Sequence, residues 1–197
     1  MKWQQLLQQG HVDIDGQRYE LAHLLGGILS IEIPASGKHP AIKANIAVEY
    51  TSHCVSYGPI DGAPQFDFAV LGPARRVLDH REIERVFCFD RHRWSLHLPG
   101  VIEQLERHTC YFTGRDNWMV MEVINDEGQR AEYEIFFRMR RGDEPNTLRL
   151  VVESAYVRDP NRGGPGIPRN RRGRVRFVMM VAKTLRGEPL RDPGRNR

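Results

Sequence analysis

The run Glu132-Tyr133-Glu134-Ile135-Phe136-Phe137-Arg138, the connector Gly142-Asp143-Glu144-Pro145-Asn146 and the run Leu148-Arg149-Leu150-Val151-Val152-Glu153-Ser154-Ala155-Tyr156-Val157 decide the fold class. Two segments rich in aromatic and β-branched residues flank a linker of turn-forming residues, which reads as two strands and a loop. So short a linker joins antiparallel neighbours, because a parallel pair needs a crossover of a dozen residues or more. Residues 111–124 form a further strand, joined through Asn125-Asp126-Glu127-Gly128, and residues 175–185 a fourth. The expectation is a four-stranded antiparallel meander.

Upstream, residues 91–98 and 99–108 read as two helices. Pro99 suits the first turn of the second, and Val101, Ile102 and Leu105 share one of its faces. Residues 1–10 form a short helix with Trp3, Leu6 and Leu7 on one side. Val12 and Ile14, then Asp15-Gly16, then Tyr19 and Leu21 spell a hairpin with a type I′ turn. Strands follow at 28–33 and at 41–51, where Ile42, Ala44, Ile46, Val48 and Tyr50 alternate along one face. Residues 57–73 are a loop around the short apolar piece 66–70, and residues 86–89 are a strand. Residues 159–173, with four Arg, four Gly and three Pro, are a long loop of the kind that is often functional.

The predicted class is therefore α+β: an antiparallel β-sheet meander with a few short helices. A chain of 197 residues suits one domain with one core. It comprises a β-rich part over 1–90, the helix pair and four-stranded sheet over 91–186, and a flexible basic tail over 187–197. Three cysteines, Cys54, Cys88 and Cys110, without a CxxC pair argue against a disulfide framework and for a reducing, cytoplasmic setting. The opening Met1-Lys2-Trp3-Gln4-Gln5 is not of signal-peptide type. No apolar run approaches the roughly 18 residues of a membrane span, so no membrane partner is expected.

Charge is unevenly placed. Residues 135–197 hold 16 Lys+Arg and 6 Asp+Glu, against 13 and 19 in residues 1–134. A basic region of this kind is the footprint of contact with RNA or another polyanion, and a protein partner with an acidic surface would meet it equally. Arg138, Arg140, Arg141, Arg169, Arg171, Arg172, Arg174 and Arg176 are the expected nucleic-acid-binding residues, since a backbone-tracking surface needs cations in rows.

On the strand 148–157, side chains alternate, so Ser154, Tyr156 and Arg158 share a face. Two hydroxyls beside a guanidinium suit a phosphodiester: Arg grips the phosphate bidentately and the hydroxyls donate. His92, with Arg91 and His97 on the same short helix, is the candidate acid or base. The pairs His53-Cys54 and Cys88…His92 contain zinc-type ligands. Adjacent side chains point apart on a strand, however, and Cys88 in Val86-Phe87-Cys88-Phe89 reads as a small apolar residue, so no metal site and no cofactor is assigned. Cys54 with His53 as a nucleophile pair lacks an evident Asp or Asn to orient it.

Two helices followed by a four-stranded antiparallel meander with polar groups on the sheet resemble the endoribonuclease superfamily of barnase, the tRNA-cleaving colicin domains and ribosome-dependent bacterial toxins. The resemblance covers residues 91–186 and is one of architecture, with no motif matched. It implies metal-independent RNA cleavage, with Arg91 or His92 on the helix and Ser154, Tyr156 and Arg158 on the sheet. The leading expectation is accordingly a metal-independent RNA-cleaving enzyme of the toxin or defence class. A non-catalytic nucleic-acid-binding or regulatory module, and an assembly protein of a phage or mobile element, are the alternatives.

Overall fold

A computed structural model describes residues 1–59, 65–113, 117–126, 128–157 and 173–190. Helix α1 (Trp3–Gln9) buries Trp3 and Leu6 and stops at Gly10, whose φ of 79° closes the last turn left-handed. Strands β1 (His11–Ile14) and β2 (Gln17–Glu20) pair through Asp15-Gly16. Both turn residues have positive φ, 51° and 79°, as a type I′ turn requires. There follow β3 (Gly27–Ile33), β4 (Ile42–Tyr50), a 3₁₀ turn over Ser52–Cys54, β5 (Ser56–Tyr57), α2 (Phe68–Leu71), β6 (Arg76–Leu78) and β7 (Glu84–Phe87). The second half contributes α3 (Phe89–Ser95), α4 (Leu98–Glu103), β8 (Thr109–Phe112), β9 (Trp118–Asp126), β10 (Gln129–Arg141), β11 (Thr147–Val157), β12 (Arg174–Arg176) and α5 (Phe177–Arg186).

One seven-stranded sheet in the order β12-β8-β9-β10-β11-β4-β3 dominates, beside a three-stranded sheet β5-β7-β6 and the β1-β2 ribbon. The fold is α+β and mostly antiparallel. The exception is β11 on β4, which run parallel. Through that pairing the N-terminal strands join the sheet of the second half, and one core runs through both. Ala44, Ile46, Val48 and Tyr50 are buried as their alternation predicts, as are Val101, Ile102 and Leu105. No helix among the described residues is long and apolar enough to cross a membrane.

The expected fourth strand over 175–185 is corrected. Only Arg174–Arg176 is extended, and Phe177–Arg186 is a helix. Phe177, Met180 and Val181 are fully buried, a spacing of three and four that belongs to a helix. Gly187 caps it left-handed at φ 68°, its N–H reaching the Lys183 and Thr184 carbonyls, with Lys183 and Arg186 at the negative end of the helix dipole.

A β-bulge shapes the middle of the sheet. Phe136 pairs with Ser154 while Phe137 pairs with Val152, so Glu153 is the extra residue on β11. The alternation reverses there. Leu148, Leu150, Val152 and Ala155 face the core, and Arg149, Val151, Glu153, Ser154 and Tyr156 line one cleft.

Candidate functional site

The cleft, about 1830 Å³, lies where the seven-stranded sheet, the small β5-β7-β6 sheet and α3 meet. Its floor is Glu134, Phe136, Arg138 and Arg140 of β10 with the β11 residues just named. Its far wall is Ser52, His53 and Tyr57, the turn at Asp79–Ile83, Arg85 of β7 and Arg91 of α3. The 51–57 segment is fastened to the bulge, because Thr51 Oγ1 donates to the Glu153 carbonyl at 2.7 Å and accepts from His53 N–H at 3.2 Å.

Arg85 is 8% exposed on a strand whose next two residues, Val86 and Phe87, are fully buried. Its Nε donates to Ser56 Oγ at 2.9 Å and its Nη2 to the Ser56 carbonyl at 3.2 Å. Arg91 Nη1 donates to the His53 and Ser56 carbonyls at 2.9 and 2.8 Å, and its guanidinium lies 4.9 Å from the Tyr156 ring centroid. Tyr156 in turn stacks on Phe136 at 5.6 Å. Among the described residues no carboxylate bonds either guanidinium. Burial and then the neighbouring charge of Arg91 pull Arg85 down to about 10, and burial lowers Arg91. Two desolvated cations side by side form a positive well that an anion would relieve. Ser52 Oγ, buried in the same wall, has no hydrogen-bond partner among the described residues, an uncommon state for a hydroxyl.

His53 and Asp79 meet across this wall, with Nε2 and Oδ2 3.4 Å apart. Asp79 is fixed from behind: its Oδ1 accepts from the Arg81 and Ile83 backbone N–H groups at 2.8 and 3.0 Å. Burial alone would raise the Asp79 carboxyl, but those donors and His53 outweigh it and hold it below its ordinary value. Burial, then the charge of Arg85, push His53 down to about 4 despite Asp79, so at neutral pH the ring is uncharged. With an ionised Asp79 at Nε2, the tautomer is Nε2–H, and Nδ1 keeps a lone pair.

The expected residues divide between places. Ser154, Tyr156, Arg138 and Arg140 line the cleft, while Arg141 does not. Arg138 pairs with the half-buried Glu153 at 2.7 Å, and Arg149 with Glu49 at 2.5 Å in an exposed pair. Arg174 lies over the Tyr111 ring and, with Arg176, is exposed on β12 at the sheet's outer edge, outside the cleft. Arg158, Arg169, Arg171 and Arg172 lie outside the described residues. His92 turns to the opposite side of α3. Its Nε2 donates to the Glu20 carbonyl at 2.8 Å, and its ring packs on Tyr19 and Phe87. The His53/Cys54/Cys88/His92 group therefore does not converge, and no group of three or more His, Cys, Asp or Glu among the described residues is placed to hold a metal. Cys54 is fully buried, which drives its thiol to about 12, far from a nucleophile's range.

Sequence reading missed Arg85 and Asp79, and treated His53 only as a ligand or a partner of Cys54. A signal existed for one of them: Arg85 is a charge inside the strand Glu84-Arg85-Val86-Phe87, which otherwise heads into the core. Asp79 and His53 are 26 residues apart, and nothing local announces their meeting.

A family model described as the YjaZ family matches residues 11–185. Protein YjaZ of Escherichia coli (strain K12) is 28% identical over 163 residues, covering 81% of this chain and 80% of that protein. No solved structure matches. The match covers the region that resembled the barnase, colicin and toxin ribonucleases as far as residue 185, and extends upstream of it. That resemblance is thereby corrected, and the structure supplies the reason: the meander's fourth strand is a helix, and the sheet is a seven-stranded mixed one continued by β4 and β3.

Proposed function

The chain belongs to the YjaZ family, and for this member we propose a phosphate-recognising role: the cleft binds a single strand of RNA across β10 and β11. One observation carries the reading, the buried Arg85 beside the half-buried Arg91 with no carboxylate bonded to either among the described residues. Guanidinium pairs suit phosphate because their planar donors match its oxygens. The stacked Phe136 and Tyr156 offer an aromatic face to a base next to that phosphate. Arg138, Arg140 and Arg149 extend the positive row along the floor. Arg149 is paired with Glu49, and an exposed pair of this kind is worth little, so a phosphate can take over that arginine at small cost. A cytoplasmic setting, with RNA rather than an acidic protein as the partner, belongs to the same proposal.

Fluorescence anisotropy with a labelled oligoribonucleotide, titrated at several salt concentrations, tests it. Binding should weaken as salt rises, with a slope set by the number of phosphates engaged. Arg91→Ala should cost about tenfold or more, since a charge-assisted hydrogen bond and the Tyr156 stack are lost together. Affinity indifferent to salt, or unchanged in Arg91→Ala, refutes the assignment.

A further inference from the structure

We infer that His53, oriented by Asp79 and flanked by Arg85 and Arg91, is a general base that takes the proton from the 2′-hydroxyl of RNA bound in the cleft. The inference rests on the binding role proposed above and adds a reaction to it.

The geometry has three parts that such a step needs. First, a nitrogen must be free to accept. His53 Nε2 faces Asp79 at 3.4 Å, and Nδ1 has no hydrogen-bond partner among the described residues. That separation is long, as the hydrogen bonds of catalytic groups often are before substrate arrives. Second, the base must be held. Thr51 Oγ1 anchors the His53 backbone N–H, and Asp79 is locked by two backbone donors, so neither partner is adrift. Third, negative charge developing on phosphorus needs a preformed positive site. Arg91 Nη1 donates to the His53 main-chain carbonyl at 2.9 Å, which ties the guanidinium to the segment that carries the imidazole, and both residues line the cleft.

The chemistry balances with no further reactant. The O2′–H bond breaks and its proton goes to His53 Nδ1, the O2′ electron pair forms a bond to phosphorus, and the P–O5′ bond breaks. The leaving 5′-oxygen takes a proton from water. The products are a 2′,3′-cyclic phosphate and a 5′-hydroxyl, and the imidazolium returns its proton to solvent. Arg85 and Arg91 stabilise the phosphorane without exchanging protons.

The charged groups facing His53 are Asp79 from the turn after β6, Arg85 from β7 and Arg91 from α3. In the free protein burial, then the charge of Arg85 and that of Arg91, outweigh Asp79 and leave the ring neutral down to about pH 4. A bound phosphate offsets the two arginines and so raises the basicity of His53 when substrate is present. The acid limb of kcat/KM should therefore lie well below that of kcat.

The test uses the full chain and a labelled oligoribonucleotide in EDTA, read on a denaturing gel, with anisotropy on the same samples. Expected are cut strands ending in a 2′,3′-cyclic phosphate, and no cut at positions carrying 2′-O-methyl. His53→Gln should slow cleavage by about 100-fold or more, with the dissociation constant changed less than about threefold. Asp79→Asn keeps an oxygen for the Arg81 and Ile83 N–H groups but presents an N–H to the ring, which reverses the tautomer. It should lose cleavage similarly while binding holds, and any residual activity should show a shifted acid limb, an effect that mere loosening of the turn would not give. If wild type binds but never cuts, or His53→Gln cuts at the wild-type rate, the general-base assignment is overturned and the binding role stands. If wild type does not bind at all, both fall.

Discussion

Gly58 shows how closely the site is fitted around one guanidinium. A Cβ at this position would stand 2.6 Å from Arg85 Nη1, so the side chain must leave its seat on Ser56. Gly58→Ala is expected to weaken RNA binding about threefold or more while stability stays within roughly 0.5 kcal/mol, because only a side-chain end has to move. Gly26→Ala is the opposite case. Its φ is 82° and the added Cβ would meet the Val48 carbonyl oxygen at 2.2 Å, where the obstacle is backbone. It should cost about 1–3 kcal/mol of stability and leave affinity for RNA in the folded protein unaltered. Urea unfolding and anisotropy on both variants check this; equal behaviour of the two would contradict the roles given to Arg85 and to the β3–β4 approach. At this scale the sequence is legible where side chains follow a strand's period of two. Arg138 and Arg140 reach the cleft for that reason, and Ser154 and Tyr156 share a face for it, though only the bulge at Glu153 turns that face to the cleft. It was silent on His53 with Asp79, which tertiary packing alone brings together. It also left the side of α3 open: His92 and Arg91, both candidates, are one residue and about 100° apart on a helix, and only the packed structure says that Arg91 faces the cleft.

Elements were legible when periodicity and turn chemistry agreed. The Asp15-Gly16 turn and the alternating β4 are where the residues place them. Residues 177–186 are the failure. A run of Phe177-Val178-Met179-Met180-Val181 suits a strand by propensity, yet Met180 and Val181 are adjacent and both fully buried, which a strand with one solvated face cannot do. The Gly187 cap and the basic last turn were the helix signals outweighed by the β-branched run. Two neighbouring substitutions test the helical packing. Met180→Ala should cost about 2–5 kcal/mol through the cavity it leaves, and Val181→Thr about 1–3 kcal/mol through a buried hydroxyl. Met179→Ala, at a position 48% exposed, should cost under about 0.5 kcal/mol. A series in which Met179 and Val181 matter and Met180 does not would place the segment in a strand. The bulge at Glu153 could not be read in advance, since it depends on β10 for its register.

Across the whole molecule, three histidines share one electrostatic condition, and it fixes how stability responds to acid. His53 and His23 are each pushed down to about 4, and His92 is lowered as well; burial is the first cause in all three. Their contacts agree with neutral rings. His92 Nε2 donates to the Glu20 carbonyl, and His23 Nε2 donates to Ser95 Oγ, whose own proton goes to the His92 carbonyl at 2.7 Å. A histidine lowered on folding binds its proton more weakly in the native than in the unfolded chain. Between its unfolded value near 6.5 and its folded value the unfolded state therefore holds more protons, and stability rises with pH. Stability contributed this way is complete above about pH 6.5 and is lost as pH falls towards 4. Each such histidine adds at most about 1.4 kcal/mol per pH unit to the slope, and less here because His53 and His23 keep some solvent contact. Urea midpoints measured from pH 7 to pH 4.5 should fall throughout that range. In His53→Gln the same curve should be shallower by about one proton's share, whether or not the cleft ever meets RNA. A variant curve parallel to the wild type would mean that His53 is already solvated and charged near neutrality. The well formed by Arg85 and Arg91 would then lack the closeness to His53 on which its proposed basicity depends.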